Sequence, residues 1–308
     1  MKTHAKARFQ LVPRESVRDG ILRITRSLAQ EQALPNSQPR TELPKIVHET
    51  RLAIKRTRAI VRLLRPTLEP RLQRGLDRAL RTGARSLAAV RDANVGLDLL
   101  DRLARQRPSA TTSAVAEVRA GYAKTVHAPA QSTPRTLRAL AQARTTLRKV
   151  ALALEKAPWK QRGWGVLSSG LEAGYRRARK RFRDARKDPT PDTLHAWRTA
   201  CKALLYQLDL VRPMASRSLE RSLQGLDELQ NSLGQASDVA NLSGRLTQKP
   251  RQFGAPTALQ RTRGLLESQL RTIQKRALKQ GRKVLSDRTP EFLDRLAREW
   301  KAWRRVKK

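Results

Sequence analysis

The sequence predicts an all-α protein built as two helical bundles of about four helices each. Three observations carry this. Apolar residues recur at helical spacing from end to end, and no run alternates in the manner of a strand. One helical pattern also returns about 147 residues after its first appearance, from His48 to His195. That period is far longer than a solenoid repeat and marks a duplicated half-domain.

Taken in order, candidate helices span 14–33, 42–65, 70–106, 112–126, 134–156, 165–187, 191–211, 215–247, 257–285 and 290–304. Alanine, leucine and arginine fill them, all good helix formers. Pro35, Pro39, Pro66, Pro108, Pro129, Pro158, Pro189, Pro213, Pro250 and Pro290 punctuate the series. Thr190-Pro191-Asp192 is a strong start signal: a capping hydroxyl, proline at the first helical position, then an acid. The first half then covers 10–157, the second 163–285, and 286–308 is an additional basic helix.

The repeat is visible in detail. VHETRLAIK from Val47 and LHAWRTACK from Leu194 share the pattern H-x-x-R-x-x-x-K, and both helices end in Arg-Pro. Downstream, Leu87 to Asp92 and Leu233 to Asp238 share the spacing L-x-x-x-x-D.

Composition bounds the partners. Lys and Arg number 66 against 26 Asp and Glu, for a net charge of +40. Self-repulsion of that size opposes compaction unless counter-ions or a polyanion relieve it. Nucleic acid, anionic lipid and another phosphate polymer all fit. The 39% hydrophobic fraction favours a folded protein over a disordered basic tail. One cysteine, Cys201, rules out a disulfide framework and a multi-cysteine zinc site. No apolar run approaches the roughly 20 residues of a membrane span, and the opening MKTHAKARFQLVPRE carries no apolar signal core. A cytoplasmic location is expected.

The helix Val47–Pro66 concentrates the charge. At about 100° per residue with His48 at zero, Arg51, Lys55, Arg58 and Arg62 fall within an arc of about 80°. Ile46, Ala53, Ile54, Ile60, Val61 and Leu64 take the opposite side. Charge runs are usually solvated faces, but such faces mix signs, and this arc contains no acid. Around His195 the pattern recurs with Arg198, Lys202 and Tyr206, but Leu205 replaces the third cation and Asp209 stands where Arg62 stood. A further one-signed row on Tyr175–Lys187 comprises Arg176, Arg179, Lys180, Arg183 and Lys187. A row of cations suits a ligand that is a row of anions, with arginine forks matching phosphate oxygens. Arg91-Asp92 and Asp238 fit either a ligand site or aspartates that orient the cations. No histidine has a second ligand at zinc-like spacing, so no metal site and no cofactor are expected.

These residues resemble the CHAD family, the conserved histidine α-helical domains. The likeness lies in VHETRLAIKRTR (47–58), AAVRDANV (88–95), GYRRARKRF (174–182), TPDTLHAWRTACKALLYQLDL (190–210) and LDELQNSLGQASDVANL (226–242), and extends from about residue 10 to about residue 285. The resemblance implies two four-helix bundles related by a pseudo-twofold, with basic residues lining a central pore or groove. It also implies binding of inorganic polyphosphate and association with polyphosphate granules. Carried onto this sequence, the binding residues are His48, Arg51, Lys55, Arg56 and Arg58 in the first half. In the second they are Arg176, Arg179, Lys180, Arg183, His195, Arg198 and Lys202. The family's basic step is replaced here by Ala203-Leu204-Leu205-Tyr206, so the second half has lost cations.

Three other functions compete. Non-specific DNA or RNA binding at low salt follows from the charge, although aromatics are only 4% and offer few stacking platforms. Phosphoryl-transfer catalysis is disfavoured: there is no phosphate-cradling G-x-x-x-x-G-K-[ST] loop, no E-x-E-x-K motif and no carboxylate cluster, and no catalytic residue is assigned. The tail Arg298–Lys308, with Trp300 and Trp303 among cations, suits a membrane or granule surface or the closing of a bundle end.

Overall fold

The computed structural model describes residues 9–31, 43–87, 92–105, 109–127 and 133–305. Among them all regular structure is helical: α1 (Val17–Gln30), α2 (Leu43–Leu63), α3 (Pro70–Ser86), α4 (Asp92–Arg105), α5 (Ser109–His127), α6 (Thr133–Lys156), α7 (Trp164–Lys187), α8 (Pro191–Leu210), α9 (Arg217–Gln248), α10 (Pro256–Val284) and α11 (Thr289–Arg305), with 3-10 turns at Arg212–Met214 and Pro250–Gln252. Within these residues no helix is long and apolar enough to cross a membrane.

Helix starts follow local chemistry. The Ser16 hydroxyl accepts from the Asp19 amide at 3.0 Å. Thr190 caps α8 by accepting from the Thr193 amide at 3.3 Å, with Pro191 in the first turn. Each cap satisfies an otherwise orphaned N–H and is worth about 1 kcal/mol.

One expected element divides. The stretch 70–106 reads as a single helix because neither proline nor a turn motif interrupts its period. In the structure α3 stops at Ser86, and the Leu87 amide turns back to the Arg85 carbonyl. The cause is tertiary: α3 buries Leu76 and Leu80 in one hydrophobic core, whereas α4 buries Leu99, Leu100 and Leu103 in another. A straight helix cannot turn its apolar face to both.

The larger core gathers side chains from α1, α2, α3, α6, α7, α8, α11 and the first part of α9. The smaller joins α4 and α5 to the rest of α9 and most of α10. Helix α9 spans about 48 Å at 1.5 Å per residue and runs from one core into the other. Apolar residues therefore do not segregate by sequence half, since each core draws on both. The two motif helices also pack on each other: the buried Gln207 amide on α8 donates to the Ala59 carbonyl on α2 at 3.2 Å.

Where α7 crosses α2 the backbones nearly touch at Gly170. A Cβ there would lie 2.7 Å from Leu63 Cδ1 and 2.8 Å from the Leu63 carbonyl carbon, and closer still to its oxygen. Only glycine permits that approach.

Helix α11 closes the larger core. Phe292 stacks on Tyr175 at 3.9 Å between ring centroids, and the buried Trp300 stacks on Trp164 at 5.7 Å. Arg304 lies over Trp300 and donates to the carbonyls of Pro13 and Glu15. The tail tryptophans thus close the bundle end, as one of the two sequence readings has it.

Cys201 is wholly buried on α8, and burial pushes its thiol far above the usual range, only partly opposed by Trp197. The thiolate is the reactive form. Alkylation by iodoacetamide at neutral pH should therefore be negligible in the native protein and rise only across the unfolding transition. Labelling at the rate of a free thiol would show that this core is open.

Candidate functional site

The α2 sequence places its apolar residues on one side and its cations on the other. Val47, Ala53, Ile54, Ile60 and Val61 are buried, while Arg51, Lys55, Arg58 and Arg62 face a cavity of about 700 Å³. From α8, His195, Arg198, Lys202 and Tyr206 face the same space. The two copies of the motif thus meet around one cavity. A third wall comes from α9, with Ser237, Asp238, Asn241, Arg245 and Gln248, and Tyr122 of α5 also contributes.

Several of these cations have a defined setting. Arg51 donates from Nη1 to the Leu87 carbonyl at 2.7 Å, a cation at a helix C-terminus. Lys202 Nζ stands 5.8 Å from the Tyr206 ring centroid. Burial pushes the Tyr206 phenol up to about 12, so it stays a neutral hydrogen-bonding group. Burial and the nearby Arg58 lower the Arg62 guanidinium, with Asp77 opposing them.

Asp77 on α3 was not among the residues expected to matter. Its carboxylate accepts from Arg58 Nε at 2.8 Å, Arg62 Nε at 3.0 Å and Arg81 Nη2 at 3.1 Å. Burial pushes its pKa up, but these three arginines outweigh burial and hold it well below the usual carboxylate range. The α2 arc contains no acid of its own, and the next helix supplies one. The signal available was that Asp77 is the sole acid of the arginine-rich α3.

Other expected residues lie elsewhere. His48 is exposed and does not line the cavity. Arg56 stacks its guanidinium on Phe9, 4.7 Å from the ring centroid, and Phe9 packs edge-on against Tyr206 at 6.4 Å. It clamps the N-terminal segment, whose Leu11 amide donates to the Leu210 carbonyl at 2.8 Å. On α7, Tyr175, Ala178, Phe182 and Ala185 are buried, which turns Arg176, Lys180 and Arg183 to solvent. Arg176 pairs with Glu172, and the half-buried Arg179 also lies off the cavity. Arg177, one position over, lies near the α2 stripe: burial and Arg181 lower its pKa, while Asp77 raises it. Arg91 lies outside the described residues, as does the Asp92 side chain, though Asp92 begins α4. Asp238 lines the cavity.

Arg245 also stands at the cavity, outside every sequence motif. Its Nη1 donates to the Tyr122 hydroxyl at 3.0 Å, at the cavity edge. It sits among neutral residues rather than in a one-signed row, so no pattern flagged it. Among the described residues, no three His, Cys, Asp or Glu side chains gather as a metal site.

Residues 24–247 match the family described as CHAD domain. Among solved structures, the chain is similar to the CHAD domain from the plant Ricinus communis: 22% identity, 91% of this chain and 94% of that one covered, TM-score 0.60. It is also similar to PptA from Streptomyces chartreusis: 15% identity, 89% and 100% covered, TM-score 0.57. At such identities these likenesses speak to the fold alone. No curated protein matches.

Proposed function

The chain belongs to the CHAD domain family, and from that premise we propose that it binds inorganic polyphosphate without transforming it. One observation carries the reading: Arg51, Lys55, Arg58 and Arg62 from one motif copy stand with His195, Arg198 and Lys202 from the other around a single cavity. A phosphate chain entering it exchanges its counter-ions for fixed cations, and the arginines add fork-shaped hydrogen bonds. The two motif helices form the inner walls, so the duplicated halves act as one module with a basic groove between them. A protein that holds polyphosphate in this way is expected on polyphosphate granules. Binding also stabilises the fold, because the ligand relieves repulsion among the cations.

A second mode has its own support. The α7 row of Arg176, Lys180 and Arg183 faces solvent, where it can attract any polyanion. DNA and RNA should therefore bind weakly at low salt and lose affinity as salt rises.

The test is a competition. Labelled long-chain polyphosphate is bound at about physiological ionic strength, then challenged with unlabelled polyphosphate, DNA or RNA at equal phosphate concentration. Displacement by polyphosphate alone is expected. Equal displacement by nucleic acid would overturn the polyphosphate reading.

A further inference from the structure

The Asp77 cluster asks why a carboxylate should sit beside an anion-binding wall. Its charge works against any phosphate nearby, so its presence needs a compensating benefit. The geometry suggests one. Both Arg58 Nε, at 2.8 Å, and Arg62 Nε, at 3.0 Å, donate to the same oxygen, Oδ1. The two guanidiniums are therefore pinned within about 6 Å of each other at their Nε atoms, well within the range where free cations repel. Arg81 holds the other oxygen at 3.1 Å, fixing the carboxylate itself.

Arginine offers five N–H donors. Asp77 takes the Nε of Arg58 and of Arg62 and, at 3.4 Å, Nη2 of Arg58. The remaining Nη donors belong to residues that line the cavity, while Asp77 and Arg81 do not line it. Asp77 thus grips the pair from behind. It is itself only 14% exposed, so solvent screens the contact weakly.

The second motif copy lacks this device. Leu205 stands at the position of Arg58 and Asp209 at that of Arg62, and Asp209 pairs with Arg212 at 3.0 Å instead. Of the two motif helices, α2 alone carries two arginines that share one carboxylate oxygen, among the described residues.

We propose that Asp77 is a positioning residue: it holds Arg58 and Arg62 as a preorganised pair of forks, and this pair selects polyphosphate over other polyanions. The inference rests on the polyphosphate reading of the cavity. Its chemistry is one of spacing. Neighbouring phosphates in polyphosphate share a bridging oxygen, so adjacent groups can meet two closely held forks together. In nucleic acid a sugar separates successive phosphates, and two forks held this close engage one phosphate at a time. Preorganisation removes the cost of ordering two long side chains on binding, and that saving reaches only the ligand whose spacing fits.

Asp77→Asn tests this, because it keeps the shape and removes the charge that gathers the arginines. Affinities for long-chain polyphosphate and for single-stranded DNA are measured at one salt concentration for wild type and variant. DNA affinity should hold or rise, since net charge increases by one, while polyphosphate affinity falls. The preference for polyphosphate should drop about tenfold. If both affinities change by the same factor, Asp77 acts only through charge or folding, and the inference is overturned. Should the variant not fold, Arg62→Lys keeps the charge and removes the fork. The same drop is expected there, and an unchanged preference overturns the inference. A wild type without preference overturns this inference and the polyphosphate reading together. A wild type with preference, unchanged in the variant, overturns this inference alone.

Discussion

Reversing Lys55 and Lys202 together, to glutamate, should cut polyphosphate affinity by at least about a hundredfold. These two lysines hold equivalent positions in the motif copies and face the same cavity. Losing a hydrogen bond to a charged group costs about 1.5 kcal/mol or more. Two such losses, with repulsion added, exceed the roughly 2.8 kcal/mol that a hundredfold requires. The control is Lys301→Glu with Arg305→Glu, both on exposed positions of α11. Each pair of reversals removes four charges, taking the formal +40 to +36. A generic cation effect would weaken both variants equally. A cavity effect weakens the first far more and leaves the second within a few-fold of wild type. Titration at fixed salt decides it, and equal losses would remove the cavity from the account. Arg51 is a poorer target, because its tie to the Leu87 carbonyl mixes folding with binding.

Gly170→Ala should cost about 3 kcal/mol of stability, at the upper end of overpacking penalties. The added methyl group meets the Leu63 backbone, which cannot rotate away as a side chain can. Helices α2 and α7 must separate, which disturbs the α2 wall of the cavity as well as the core. For a chain of 308 residues the loss corresponds to a fall in Tm of roughly 5 °C. Gly264→Ala is the contrasting case: its helical position on α10 is exposed and a Cβ there meets nothing within 4 Å. That change should stabilise by up to about 1 kcal/mol through helix propensity. Thermal melts of both variants check the pair. Similar shifts in the same direction would mean that propensity, not the close crossing, governs Gly170.

Periodicity and composition on their own specified the all-helical class, most of the helices and the two faces of α2. The reason is that a helix maps sequence spacing onto direction without outside help. Arg51, Lys55, Arg58 and Arg62 share a face whatever surrounds them. The same arithmetic put Arg176, Arg179, Lys180 and Arg183 on one arc of α7, but it could not say which way that arc points; Arg179 is half-buried and the other three are exposed. Packing decided that: Tyr175, Ala178 and Phe182 took the core, and the row went to solvent. Packing also broke 70–106 at Leu87, since two cores claim its two parts. It likewise turned Arg56 under Phe9. Asp77 came to the site from a helix that no motif linked to it, and Arg245 from beyond the motif on α9. Contacts between helices depend on how apolar faces dock, and residues 15 and 19 positions apart, such as Arg62 and Arg58 with Asp77, become partners only after docking. Sequence alone set the charge each helix carries and the face that bears it. Tertiary structure decided which faces meet, because burial of apolar surface, not the charge pattern, supplies the energy that orients helices.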